Sequence, residues 1–176
     1  CLDDVCQAIE RTPIDPQVQL RALRDALVRS RDRFRAITVS RDRSAPLIGV
    51  VGEIFCRLHT FSNEDLIRRL EQYGAETWLS DIGEWVWYTN AEQSRRLKLT
   101  GRRISKEALG AWIRNRVQRR DEHVLLEPFR GDFAGYEEPD IAEVLACAEP
   151  YLPASGAMGE MVLNIGKAVY LAHKGV

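Results

Sequence analysis

Glu53, Cys56, Arg57 and His59 are the side chains whose types and spacing could do chemistry in this chain of 176 residues. They follow a short apolar run, Leu47 to Val51, that ends at Gly52, and they precede Ser62-Asn63-Glu64-Asp65. A carboxylate directly after a buried strand must be hydrogen-bonded or paired, and Arg57 is the nearest candidate for Glu53. The pair reads either as the polar centre of a catalytic or ligand-binding site or as a structural bridge that ties the turn. A thiolate at Cys56, near Arg57 and a helix N-terminus, would have a lowered pKa suited to a cofactor ligand or a nucleophile. The alternative is a plain structural thiol. His59 is either a partner to Cys56 or a hydrogen-bonding loop residue.

Trp85, Trp87 and Tyr88 lie in the aromatic stretch 81–93 and would reach the same rim from the end of a second strand. They could form a stacking wall for a planar ligand, an apolar shield for a cofactor, or a packing plug under a loop. The expected arrangement therefore has Glu53 and Arg57 at the centre of a strand-end rim, Cys56 and His59 beside them, and Trp85 or Trp87 nearby. Other chemistries are disfavoured. Gly49 and Gly52 have no third glycine opening a helix, so the dinucleotide signature is missing. No Walker-type loop, H-E-x-x-H or nucleophile elbow is present. Cys1 and Cys6 are too widely spaced for a redox pair, and alone cannot hold a zinc ion or an iron–sulfur cluster, which need about three or four ligands. Cys147 falls on the apolar face of a predicted helix and reads as structural.

The elements that must position these groups follow from periodicity. A lead-in over 1–16 is broken by Pro13 and Pro16, and a helix from Gln17 to Ile37 carries Leu20, Leu23, Leu27, Phe34 and Ile37 on one stripe. Its arginines could face an anionic ligand or form a solvated face with Asp25 and Asp32. Residues 40–46 form a polar connector. The strand 47–51, a helix from Ser62 to Gly74 with a capping box to Asp65, and a strand over 75–80 compose a parallel βαβ unit. A long helix from Ser105 to Leu125 should turn Ile104, Ala108, Trp112, Ile113 and Val117 inward. The basic segment 95–120 and the acidic segment 121–149 either mark opposed partner faces or neutralise each other within the domain. Residues 128–138 are irregular, Pro139 opens a helix that Pro150 ends, and a last helix runs from Glu160 to His173. Gly175 stops it, so another strand would begin at Val176, and the chain reads as an excerpt.

The expected fold is α/β: a partial, three-layer Rossmann-like parallel sheet over 47–176, preceded by a helical extension over 1–46. With 45% hydrophobic residues, 29% charged residues and a net charge of −1, the composition is that of a soluble globular domain. It argues against a dedicated nucleic-acid binder. No apolar run approaches the ~20 residues of a membrane span. Four cysteines without a secretory signal favour reduced thiols and a cytoplasmic location.

VGEIFCR, FSNEDLIRRLEQYGAETWLSDIGEW, HVLLEPF, EEPDIAEVLACAEPYLP and GEMVLNIGKAVYLAHKG together resemble the 2-hydroxyacyl-CoA dehydratase and benzoyl-CoA reductase family, and above all its CoA-substrate-specific activase branch. The likeness covers most of the chain from residue 47 onward. It implies an anaerobic system in which an activator hydrolyses ATP to push one electron into a dehydratase-like component holding a [4Fe–4S] cluster. It further implies an activator ATPase or dehydratase subunit as partner and a CoA thioester as substrate, with homo-oligomer formation left open. The family's Pro-Phe-x-Cys motif would fall beyond Val176, and Cys56 departs from the family pattern, so no cluster is expected on residues 1–176 alone. A non-catalytic docking or scaffold domain for an activator is the rival reading.

Overall fold

The apolar run at residue 47 forms the strand it predicts, β1 (Leu47–Val50), and the run after Gly74 forms β2 (Glu76–Leu79). The two pair in parallel, with Leu47 opposite Glu76 and Val50 opposite Leu79. Between them lie a short α3 (Ile54–Leu58) and α4 (Leu66–Gln72), so the βαβ connection holds. Gly74 takes the left-handed conformation (φ 86°) that lets the chain leave α4 and enter β2. Before β1 come α1 (Leu2–Glu10) and α2 (Pro16–Arg35); after β2 come α5 (Ile82–Leu99), α6 (Lys106–Leu126), α7 (Ile141–Ala148) and α8 (Met161–Lys174). This computed structural model describes residues 1–12, 15–39, 45–153 and 159–176; Pro13 and most of the 40–46 connector lie outside the described residues.

The three-layer Rossmann-like expectation is overturned. Helix takes 64% of the described residues and strand 5%, and the sheet has two strands. The reason is legible in the segment after β2. Asp81 accepts a hydrogen bond from Glu84 N at 2.8 Å and caps α5, so the aromatic stretch is helical where a strand-end loop was expected. The later apolar residues repeat at helical spacing and pack helix on helix. No further strand forms among the described residues to extend the sheet.

The described residues of 42–104 and 136–176 form one compact unit. Its core joins Tyr88 of α5, Ile141 and Val144 of α7 and Leu163 of α8, with Trp87, Ala91 and Leu145 packed against them. α7 and α8 approach closely because Gly166 has no side chain: a Cβ there would lie 2.1 Å from the Val144 carbonyl oxygen. Gly49 does the same for the sheet, since a Cβ would meet Leu171 Cδ1 at 2.6 Å. Gly175 closes α8 in the left-handed region (φ 84°).

The described residues of 1–41 and 105–135 form the other unit. Pro16 opens α2, and Asp15 caps it by accepting from Gln17 N and Val18 N. Four of the arginines on α2 are held by partners within the unit. Arg33 meets Asp4, Arg24 meets Glu127, Arg31 donates to the Pro128 carbonyl, and Arg35 grips Asp132 through two bonds of 2.9 Å. These pairs are mostly solvent-exposed, so each adds little to stability. α6 begins at Ser105 as expected, and the Ser105 hydroxyl caps it by accepting from Ala108 N. Of the residues expected to face inward along α6, Ala108 is half-buried, whereas Ile104 is 99%, Trp112 62%, Ile113 49% and Val117 43% exposed.

Candidate functional site

Glu53 does not meet Arg57. It sits exposed at the N-terminus of α3, where Glu53 Oε2 accepts a hydrogen bond from Cys56 N at 3.0 Å. That backbone bond, with a second from Phe55, holds the Glu53 carboxyl below its ordinary range. Glu53 in turn raises the Cys56 thiol by hydrogen bonding and by its charge. The expected activation of Cys56 is thus reversed: the neighbouring carboxylate makes the thiolate harder to form. His59 caps the other end of α3, stacks on Phe55 with ring centroids 4.8 Å apart, and bonds Ser62 through Nδ1. Ser62 is therefore not the cap of α4. Asp65 stands at the cap without a side-chain bond, while Asn63 Oδ1 accepts from Leu66 N and Asn63 Nδ2 donates to the carbonyls of Cys56 and Arg57.

Arg57 instead turns inward, only 5% exposed. Its Nη2 donates to the Asp81 carbonyl at 3.1 Å, and its Nη1 lies 3.8 Å from Glu84 Oε2. Glu84, on the first turn of α5, reaches Lys167 of α8, with 3.4 Å between Glu84 Oε1 and Lys167 Nζ. Lys167 is 1% exposed and also bonds Glu138, which accepts a hydrogen bond from Trp78 Nε1 of β2 at 3.3 Å. The Lys167 ammonium stands 6.0 Å from the centre of the Trp78 ring. Tyr136 completes the edge, its ring 5.3 Å from Trp78 and its hydroxyl donating to Glu76. Burial drives the Glu84 carboxyl above its ordinary range; Lys167 pulls against that shift and Glu138 adds to it.

The Glu53–Arg57 centre expected at the end of β1 does not form; the polar cluster there consists of Arg57, Glu84, Lys167 and Glu138. Of the predicted residues only Arg57 belongs to it. Trp87 is a core residue of α5 and Trp85 is exposed on the same helix, so neither lines a ligand wall in common with Glu53. Lys167 carried a signal that periodicity alone overlooks: a lysine set among Ile165, Gly166, Ala168 and Val169 falls on the buried stripe of its helix. The cavity next to Arg57, lined also by Leu58, Thr60, Asn63, Asp65, Ile67 and Leu79, is about 90 Å³. That holds a few waters, whereas ligand pockets run to about 300–1,000 Å³.

No group of three or more His, Cys, Asp or Glu side chains that could hold a metal ion exists among the described residues. Cys6 and Cys56 are exposed and Cys1 and Cys147 half-buried, all as free thiols. No described helix is long and apolar enough to cross a membrane. No protein family, characterised protein or solved structure matches this chain.

Proposed function

We propose that this chain is a non-catalytic docking and scaffold module of a 2-hydroxyacyl-CoA dehydratase-like or activase-related iron–sulfur protein, which drives one-electron chemistry on acyl-CoA-type substrates with ATP. One observation carries the reading. Four of the five segments on which the resemblance rests each place a charged residue in one network: VGEIFCR supplies Arg57, LSDIGEW supplies Glu84, EEPDIAEV supplies Glu138 at its exposed end and NIGKAV supplies Lys167. A combination of motifs whose charged members meet in three dimensions is a folding unit, and it does so here without Glu53, Cys56 or His59.

The network is charge-balanced, with two cations and two carboxylates, and Arg57, Glu84 and Lys167 are buried, which suits a structural centre. The rival reading, an enzyme component whose network takes part in the chemistry, has one observation in its favour. Arg57 Nε, Ser80 Oγ and Glu84 Oε1 are buried without a hydrogen-bond partner among the described residues.

The test is an anaerobic preparation of the longer protein that this reading implies, assayed for iron, sulfide and ATP-driven one-electron reduction. The parent should hold iron and sulfide, and Glu84→Gln should lower the unfolding temperature while leaving iron per folded molecule unchanged. A parent without iron and sulfide removes the dehydratase-type assignment. A Glu84→Gln protein that unfolds normally but loses its cluster or its reduction assigns the network to the chemistry instead.

A further inference from the structure

We propose that the turn closing α5 is a docking point for an anionic lipid surface, with Arg96, Lys98, Arg102 and Arg103 meeting the headgroups and Leu99 and Ile104 entering the interface. The inference goes beyond the scaffold reading and does not rest on it.

From Ser94 to Lys106 the chain carries Arg95, Arg96, Lys98, Arg102, Arg103 and Lys106 and no carboxylate. α5 ends inside this run, and the backbone closes tightly around its last carbonyls. Thr100 N donates to the Arg96 carbonyl at 3.0 Å and Arg102 N to the Leu97 carbonyl at 2.9 Å, while Gly101 takes the left-handed conformation (φ 71°). The cations are therefore gathered on a formed turn. Arg95 is held by Glu92 through two bonds. Arg96, Lys98, Arg102 and Arg103 are exposed and make no ion pair among the described residues. Carboxylates of the acidic segment that could have neutralised them are engaged elsewhere: Asp121 by Arg120, Glu127 by Arg24, Asp132 by Arg35 and Glu138 by Lys167.

Two aliphatic side chains stand on the same turn, Leu99 at 71% and Ile104 at 99% exposed. Packing within the chain gains nothing from either, and their place among unpaired cations selects the occupant. Nucleic acid would answer the cations but leave both aliphatics in water, and residues 94–106 include no aromatic side chain to stack on a base. A partner protein would have to supply a shaped pocket for an isoleucine that no neighbour surrounds. The boundary between headgroups and acyl chains accepts a projecting aliphatic side chain without one, and anionic headgroups attract the lysine and arginines around it. That attraction acts within about a Debye length, so the chain's overall charge of −1 does not cancel the local cluster.

The experiment co-sediments the 176-residue chain with phosphatidylcholine vesicles prepared with and without phosphatidylserine, and measures a labelled oligonucleotide and polyglutamate in parallel. The chain should bind the phosphatidylserine vesicles and not those of phosphatidylcholine alone. The Arg102→Gln/Arg103→Gln pair should weaken that binding by about tenfold or more. Ile104→Ser should weaken it by about fivefold or more, a loss that a purely ionic contact would not show. All three side chains are exposed, and circular dichroism melts matching the parent would show the fold intact. The proposal is overturned if the chain ignores the phosphatidylserine vesicles, if it binds both vesicle types alike, or if Ile104→Ser changes nothing. It is overturned equally if the oligonucleotide or polyglutamate binds more tightly than the phosphatidylserine vesicles, because the turn then belongs to a nucleic acid or an acidic protein.

Discussion

Lys167 Nζ lies 3.4 Å from Glu84 Oε1, and both side chains are almost wholly withdrawn from water. An ammonium cannot be buried in this way unless carboxylates surround it, so the sequence position of Lys167 dictates where Glu84 and Glu138 must go. Through Glu84 the constraint reaches Arg57 and the turn after β1; through Glu138 it reaches Trp78 and β2. α8 is thereby fastened to both ends of the βαβ unit. Glu160, at its N-terminus, adds a tie by accepting from Ile54 N at 3.2 Å.

Gly166 sets the spacing on which that network depends. Gly166→Ala places a methyl group where the Val144 carbonyl oxygen already lies, and backbone cannot rotate aside as a flexible side chain would. The helices α7 and α8 must separate, at a cost of about 1–3 kcal/mol or more. Urea unfolding should show the loss as a lowered midpoint with an unchanged slope. A midpoint equal to that of the parent would show that the two helices do not meet at this residue.

Stability should carry the signature of Glu84. Its folded-state pKa lies above the unfolded one because burial outweighs the pull of Lys167. Its contribution is therefore full below the unfolded value of about 4.3 and is lost as pH rises through the raised folded value. Glutamine imitates the protonated form, so the deficit of Glu84→Gln relative to the parent should narrow from about pH 4 to about pH 8. Urea midpoints across that range measure it. A deficit that widens with pH would mean the Glu84 anion is favoured in the folded protein.

Cys56 offers a kinetic readout of its neighbour. Glu53→Ala removes the hydrogen bond and the charge that hold the thiol up, so the pH midpoint for alkylation of Cys56 by iodoacetamide should fall. Peptide mass mapping separates Cys56 from Cys1, Cys6 and Cys147. An unmoved midpoint would show that Glu53 does not face the thiol.

Local signals were legible in the sequence and distant partners were not. The β1 run, the Gly74 stop, the helix start at Ser105 and Gly175 as a terminator all act through neighbours within one turn, and all are found. The Asp81-to-Glu84 spacing was an equally local capping signal; reading it would have turned the aromatic stretch into α5 and removed the basis for a larger sheet. Glu53 and Arg57 looked like a pair because they are close in sequence. The backbone of α3 captures Glu53 first, and Arg57 points to a residue on another helix. On α6 the stripe of Trp112, Ile113 and Val117 faces outward, because periodicity tells which residues share a face but not what covers it.

Arg57, Glu84, Lys167 and Glu138 act as one network, and a double-mutant cycle of Lys167→Met and Glu84→Gln in urea tests this most directly. Lys167→Met leaves Glu84 buried, and Glu138 at the exposed end, without their ammonium and should cost about 3–5 kcal/mol. With Glu84→Gln also in place part of that cost has already been removed, so the double variant should fall short of the sum of the singles by about 0.5–3 kcal/mol. Additivity within about 0.3–0.5 kcal/mol would mean that the two side chains do not share an environment, and the network would be contradicted.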